Sequence, residues 1–315
     1  MSEERATVLF VDDEERILRS LRMQFRGRYD VLTAGSGAEA LQVLRGRVIH
    51  AVVSDQRMPG MLGAELLSQV REVSPATMRL LLTGYSDMQA IVASVNEGEI
   101  FRFIEKPWHP QRLLEAVEQA VQIARREMAA LESMPVLASA AAQDPAGFRL
   151  LTIDEDAATC DLVRELAGPR HHAQNATSLE GALEVLSEQE IAIVVASLKH
   201  RSDDVVGALK TLKRYSPRTL TIAVSPLGDS YGLIELINQG QIYRFLPKPL
   251  SRELLRRSLQ SALDQYRRIQ AVPMLVARHA VEESPVALEP SPSLSARLLG
   301  YWRRIRDNGR VQQSA

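Results

Sequence analysis

The sequence predicts an α/β protein built from two consecutive copies of one parallel-sheet unit, and three observations carry that prediction. The segment VLFVDDE at Val8 recurs as LLTIDED at Leu150, and NEGEIFRFIEKP at 96–107 recurs as NQGQIYRFLPKP at 238–249. Both pairs are offset by 142 residues (150 − 8 and 238 − 96), and Ala40-Leu41 and Ser74-Pro75 find Ala182-Leu183 and Ser216-Pro217 at the same spacing. A constant offset across a whole segment marks a structural repeat. Within each copy, short apolar runs alternate with longer helical patterns, and acidic residues stand at the ends of the first and third runs.

In the first copy the apolar runs at 8–11, 29–33, 51–54, 79–82 and 102–104 read as strands. Between the first two, Ile17, Leu18, Leu21 and Phe25 are spaced to share one helical face. Five strands separated by helices predict a parallel sheet covered on both faces. Such a sheet places its site at the carboxyl ends of the strands, at the topological switch point. After the fifth strand, Leu114, Val117, Val121, Ala124, Met128 and Leu131 alternate at three and four residues. Leu114 to Val121 fit packing on the sheet. Ala124 to Leu131 lie past an ordinary domain edge and leave open a coiled-coil seam toward a second chain or the second copy. Leu255, Leu259, Ala262, Tyr266 and Ile269 repeat the alternation in the second copy.

These patterns divide the chain into a first domain at 6–126, a helical extension and linker at 127–147, a second domain at 148–268 and a tail at 269–315. Ala, Pro and Ser dominate 132–147, and the tail holds Pro273, Pro285, Pro290 and Pro292. Leu294, Leu298, Leu299, Trp302 and Ile305 would share one face of a short helix, with Arg297, Arg303, Arg304 and Arg306 elsewhere. That is a weak candidate for docking on a partner or a membrane surface, with Gly300 against it.

Lys and Arg number 38 against 39 Asp and Glu, so the balance gives no global drive toward nucleic acid. The single Cys160 excludes an internal disulfide framework and reads as a small core residue. No apolar run approaches the ~20 residues of a membrane helix, and the expected location is cytoplasmic. His171 and His172 align with Tyr29 and Asp30, away from the acidic edge, and read as surface residues. Asp203 and Asp204 read as an exposed loop.

The chemistry gathers at the strand ends of the first copy: Asp12 and Asp13 after the first, Asp55 after the third, Thr83 at the fourth and Lys106 at the fifth. Three converging carboxylates repel one another unless a cation is present. Mg2+ is a hard ion that prefers carboxylate and phosphate oxygens. A carboxylate can also act as a nucleophile toward phosphorus. Phosphoryl transfer needs mainly positioning and neutralised oxygen charge. Metal and Lys106 would supply positive charge, and the Thr83 hydroxyl a hydrogen bond.

The motifs VDDE at 11–14, SDQRMPG at 54–60, LTGY at 82–85 and EKPW at 105–108 resemble those of bacterial two-component response-regulator receivers. The wording DQRMPG, LLTGYSD and IFRFIEKPW is similar to receivers of hydrogenase-regulator and cyclic-di-GMP-phosphodiesterase type. The resemblance covers 6–126 and, more weakly, 148–268. It implies two tandem flavodoxin-like (βα)5 domains with five-stranded parallel sheets. It further implies that Asp55 is the phosphoacceptor, fed by a sensor histidine kinase or phosphotransfer protein. Asp12, Asp13, Asp55 and the Arg57 carbonyl would hold Mg2+, and Lys106 would contact the phosphoryl group before a cis Pro107. Thr83 and Phe103 would be the switch residues.

In the second copy the offset places Ser197 opposite Asp55. Asp154, Glu155, Ser225, Lys248 and Phe245 preserve the other positions, while the QRMPG loop becomes LKHRS. A serine is a poor nucleophile without an adjacent base, so this copy reads as a pseudo-receiver. The expected protein is a signalling adaptor without DNA-binding or enzymatic output, not itself an enzyme, acting on a separate effector. Homodimerisation is expected through the seam or the helices after the fourth and fifth strands. An alternative is a phosphate sink or relay intermediate whose output is aspartyl-phosphate turnover.

Overall fold

In the computed structural model, which describes residues 5–84, 99–133, 147–198, 209, 212, 213, 216–226, 238 and 242–271, the apolar runs of the repeat form two parallel five-stranded sheets. Each sheet belongs to its own unit, Met1–Ala138 and Ser139–Ala315. In unit 1 the strands are β1 (Thr7–Val11), β2 (Asp30–Ala34), β3 (Ala51–Asp55), β4 (Met78–Thr83) and β5 (Arg102–Glu105). The described helices are α1 (Glu15–Phe25), α2 (Gly37–Gly46), α3 (Gly63–Val73) and α4 (Pro110–Ser133). The spatial order is β2-β1-β3-β4-β5, with every pairing parallel. The strand order therefore reverses between β1 and β3, whose acidic ends become neighbours at the switch point.

The central strands are apolar because helices cover both faces. β3 and β4 are buried throughout, and Phe10 of β1 lies 4.9 Å from the Phe25 ring of α1. Local signals start the helices: the Ser36 hydroxyl accepts from Glu39 N–H at 3.3 Å, and the Glu39 carboxylate accepts from Gly35 N–H at 2.7 Å. These contacts satisfy N–H groups that a helix start leaves without partners.

Part of the α4 stripe that the sequence left open as a seam packs within unit 1. Val117, Val121 and Ala124 are buried in the unit 1 core, and Leu114 and Met128 pack against it. Met128, beyond the edge expected at 126, thus packs against the unit 1 core, while the side chain of Leu131 lies outside the described residues.

Unit 2 repeats the architecture with β6 (Arg149–Ile153), β7 (His172–Ala176), β8 (Ile193–Ser197), β9 (Leu220–Pro226) and β10 (Arg244–Lys248) in the order β7-β6-β8-β9-β10. Its described helices are α5 (Ala157–Ala167), α6 (Leu179–Glu188) and α7 (Arg252–Ala271). The register keeps the offset: Thr7 pairs Asp30 in unit 1, and Arg149 pairs His172 in unit 2. Leu255, Leu259, Ala262, Tyr266 and Ile269 of α7 are all core, so the fold runs past 268 into the stretch assigned to the tail. His171 is not a plain surface residue: its Nδ1 accepts from Phe148 N–H at 3.0 Å and its ring stacks on Phe148 at 5.7 Å. Cys160 is buried and donates toward Asn175 Oδ1. Residues 272–315, most of the 132–147 linker, and Asp203 and Asp204 lie outside the described residues.

The two units solve one buried-charge problem differently. In unit 1, Arg79 of β4 is buried and donates to the carbonyls of Thr77 at 2.7 Å and Pro75 at 3.3 Å, with Glu99 alongside at 3.8 Å. In unit 2 the strand position is Thr221. Lys213 supplies the cation instead, donating to the corresponding carbonyls of Thr219 and, at 3.5 Å, Pro217. Burial alone pulls the Lys213 ammonium down to about 7.

Candidate functional site

Asp12 follows β1 and Asp55 ends β3, so the switch point brings them together with Asp13. One carboxylate oxygen from each of the three lies within 4.8 Å of the others. Lys106, just after β5, reaches across to Asp55 Oδ1 at 2.7 Å and Asp12 Oδ2 at 3.3 Å. The remaining oxygens are oriented by backbone: Asp12 Oδ1 accepts from Glu14 N–H at 2.8 Å, and Asp55 Oδ2 from Arg57 N–H at 3.1 Å. Asp12 and Asp55 are buried, whereas Asp13 and Arg57 are exposed, so the cluster opens to solvent on one side.

The electrostatics of the cluster are unfinished. Burial raises the Asp12 carboxyl above its ordinary value and Asp55 adds to the rise; the Glu14 N–H and Lys106 offset it only in part. Burial pulls the Lys106 ammonium down, but its contacts with Asp55 and Asp12 together outweigh that and hold it above the usual lysine value. One lysine against three carboxylates leaves net negative charge. A small oxygen-preferring divalent cation would neutralise it, and the donor set of Asp12, Asp13 and Asp55 fits such an ion.

Around the cluster, Thr83 ends β4 and its hydroxyl donates to the Gly84 carbonyl at 3.3 Å. Phe103 is buried in β5, and Lys106-Pro107 is a cis peptide. The Lys106 ammonium lies 5.9 Å from the Trp108 ring centroid.

Two residues that sequence reasoning did not single out fix the acceptor strand to α3. Buried Gln56 accepts from Gly63 N–H with its backbone carbonyl at 3.0 Å and from Ala64 N–H with its side chain at 3.1 Å. Gly63 opens α3 so close to β3 that a Cβ there would lie 2.0 Å from the Asp55 carbonyl oxygen. Only this close approach gives a reason for glycine at position 63.

At the matching edge of unit 2, Lys248 contacts Asp154 Oδ2 at 3.2 Å, and Asp154 Oδ1 accepts from Asp156 N–H at 3.0 Å. Burial opposes the charge on Asp154, but the Asp156 N–H and Lys248 prevail and hold its carboxyl below the usual range. Ser197 ends β8 in the register that Asp55 has in β3, pairing Val224 as Asp55 pairs Leu82. Its hydroxyl is close enough to favour the Asp154 charge slightly, yet is buried without a hydrogen bond of its own. Glu155 is exposed, Ser225 lies in β9, Phe245 is buried, and Lys248-Pro249 is again cis.

A doubly covered parallel sheet with a lysine-bridged carboxylate cluster at its switch point is an arrangement whose donors suit a small divalent cation. Residues 8–118 match the response regulator receiver domain family, so this part of the chain is a receiver domain. The chain is 41% identical over 121 residues to the hydrogenase transcriptional regulatory protein HoxA of Bradyrhizobium diazoefficiens, covering 38% of this chain and 25% of that protein. It is 43% identical over 122 residues to HoxA of Cupriavidus necator, 39% of this chain and 25% of that one. Against the DNA-binding transcriptional regulator NtrC of Escherichia coli the identity is 32% over 119 residues, 38% and 25% of the two chains. The chain thus spans about a quarter of the length of these relatives. Among solved structures, the signal receiver domain of an HD domain-containing protein from Pseudomonas fluorescens is 36% identical, covering 41% of this chain and 96% of that one with a TM-score of 0.40. Among the described residues, no helix is long and apolar enough to cross a membrane.

Proposed function

We propose that the protein is a phosphorelay signalling adaptor in which Mg2+-dependent phosphorylation of Asp55 changes the binding of a separate effector, with unit 2 acting as a receiver-like partner that lacks an acceptor. The observation that supports this reading most is the Asp55 carboxylate, held between Lys106 and the Arg57 N–H beside two further acids. An Asp55 oxygen attacks the phosphorus of a phosphohistidine on a histidine kinase or phosphotransfer protein. The P–N bond breaks and the electron pair leaves with the imidazole, which takes up a proton from solvent. Lys106 already touches Asp55 and takes up the charge of the phosphoryl oxygens, while the Arg57 N–H holds the carboxylate in place. Asp12, Asp13 and Asp55, with the Arg57 carbonyl, would hold Mg2+, which when bound offsets the charge of the carboxylates and the phosphoryl group. The Thr83 hydroxyl turns from the Gly84 carbonyl to the phosphoryl group, and Phe103 follows, giving two states biased by new charge.

Enzymatic turnover is not part of this reading beyond slow self-dephosphorylation. Beryllofluoride with Mg2+, a stable stand-in for the phosphoryl group, tests the switch by hydrogen exchange across Met78–Thr83 and Arg102–Glu105. Altered exchange in wild type and none in Asp55→Asn is expected; equal exchange in both would sink the proposal.

A further inference from the structure

The carboxyl edge of unit 2 differs from that of unit 1 by the loss of one negative group while keeping the cation. In unit 1, Lys106 lies between two carboxylates, with the shorter contact, 2.7 Å, going to Asp55. In unit 2, Lys248 has its described ion pair with Asp154 at 3.2 Å, and its side chain is 32% exposed. The missing carboxylate is replaced by Ser197, which is 8% exposed and whose Oγ lies near the Asp154 carboxylate but, among the described residues, makes no well-formed hydrogen bond. A buried hydroxyl without a well-formed hydrogen bond costs free energy and leaves its donor poorly satisfied.

We propose that this edge is a binding site for a small tetrahedral oxyanion of the inorganic phosphate class, held by the Lys248 ammonium and the Ser197 and Ser225 hydroxyls in place of the absent acceptor carboxylate. The proposal rests on the reading of unit 2 as an acceptor-less copy. The backbone that frames the position is preserved: Leu198 N–H donates to Val224 O at 2.7 Å as Gln56 N–H does to Leu82 O at 2.9 Å. Ser225 stands in β9 at the Thr83 register, pairing Pro247 as Thr83 pairs Glu105. Asp154 does not itself call for a metal ion. Both its oxygens are engaged, by Lys248 and the Asp156 N–H, and its carboxyl is held below the usual range, the reverse of Asp12. Glu155 and Asp156 are exposed, where water screens their repulsion of an incoming anion. An ammonium and two hydroxyls match three oxygens of a tetrahedral anion, and charge-assisted hydrogen bonds supply most of the attraction.

Calorimetric titration of the full chain with inorganic phosphate in EDTA, against chloride at matched ionic strength, tests the site. One equivalent should bind to wild type, about tenfold or more weakly to Lys248→Met, and at wild-type strength to Lys248→Arg, which keeps the cation. Ser197→Asp returns a carboxylate to the ammonium and should abolish binding; thermal melts establish that each variant is folded. No binding to wild type, or binding undiminished in both Lys248→Met and Ser197→Asp, would overturn the proposal. Phosphorylation of unit 2 by a phosphodonor would instead overturn the acceptor-less reading, so the two failures are distinguishable.

Discussion

Gly63→Ala is a one-atom perturbation placed against the acceptor's own backbone. The added Cβ would lie 2.0 Å from the Asp55 carbonyl oxygen, 2.8 Å from its carbonyl carbon and 2.9 Å from Leu81 Cδ1. Ordinary carbon–oxygen contact is more than an ångström longer than the first of these, so α3 and the end of β3 must part by about that much. Two of the three near atoms are backbone, which cannot swing aside as a flexible side chain does. Overpacking of this kind costs about 1–3 kcal/mol, and part of that cost falls on the Gln56 contacts that tie β3 to α3. A shift of about 1 Å in a reacting group can cost on the order of a hundredfold in rate. The expected result is therefore a loss in urea stability of about 1–3 kcal/mol together with a fall of about a hundredfold in acetyl-phosphate labelling. Wild-type stability and labelling rate together would refute the claim that α3 positions Asp55.

Three further outcomes follow from the charges. Lys106→Met leaves Asp55 and Asp12 without their cation and should slow labelling about a hundredfold, read by initial rates under saturating Mg2+; an unchanged rate would remove Lys106 from the reaction. Mg2+ at ten times its dissociation constant should stabilise unit 1 by about 1.4 kcal/mol, and Asp12→Asn should reduce that gain. Because the folded Asp12 pKa lies above its ordinary value, in EDTA this group makes unit 1 more stable as pH falls through the folded pKa toward 3.8. Urea melts with and without the ion at neutral and mildly acidic pH check both parts. Lys213 works in the opposite sense. Its folded value of about 7 lies below the ordinary 10.5, so the unfolded chain binds more protons between those limits. Stability of unit 2 should rise with pH across that window, by roughly 5 kcal/mol at most. Lys213→Met should flatten the slope in urea melts followed by exchange of Leu220–Pro226 peptides.

Much of the fold was legible because its signals are local and repeated. The apolar runs mark the strands, and the constant offset marks the second copy independently of any one motif. The acidic residues at the ends of β1 and β3 could be joined from sequence because a parallel sheet of this order must bring those ends together. The α4 face was harder. Spacing shows that Ala124 and Met128 share a stripe with Val117, but not what covers it, and here Ala124 is buried in the unit 1 core with Met128 packed against it. Lys213 was not legible at all. It takes over the carbonyls that Arg79 holds, from a different point in the chain, so no alignment of position with position reveals the exchange. Gln56 and Gly63 stayed hidden for a similar reason: their roles depend on how closely α3 approaches β3.

Intact-mass measurement after incubation with acetyl phosphate and Mg2+ tests the central claim most directly, on wild type and Asp55→Asn. The expected result is one phosphoryl group on wild type and none on Asp55→Asn, with Ser197 unmodified. A label that persists on folded Asp55→Asn, a second label on wild type, or a folded wild type that takes no label with Mg2+ present would contradict it.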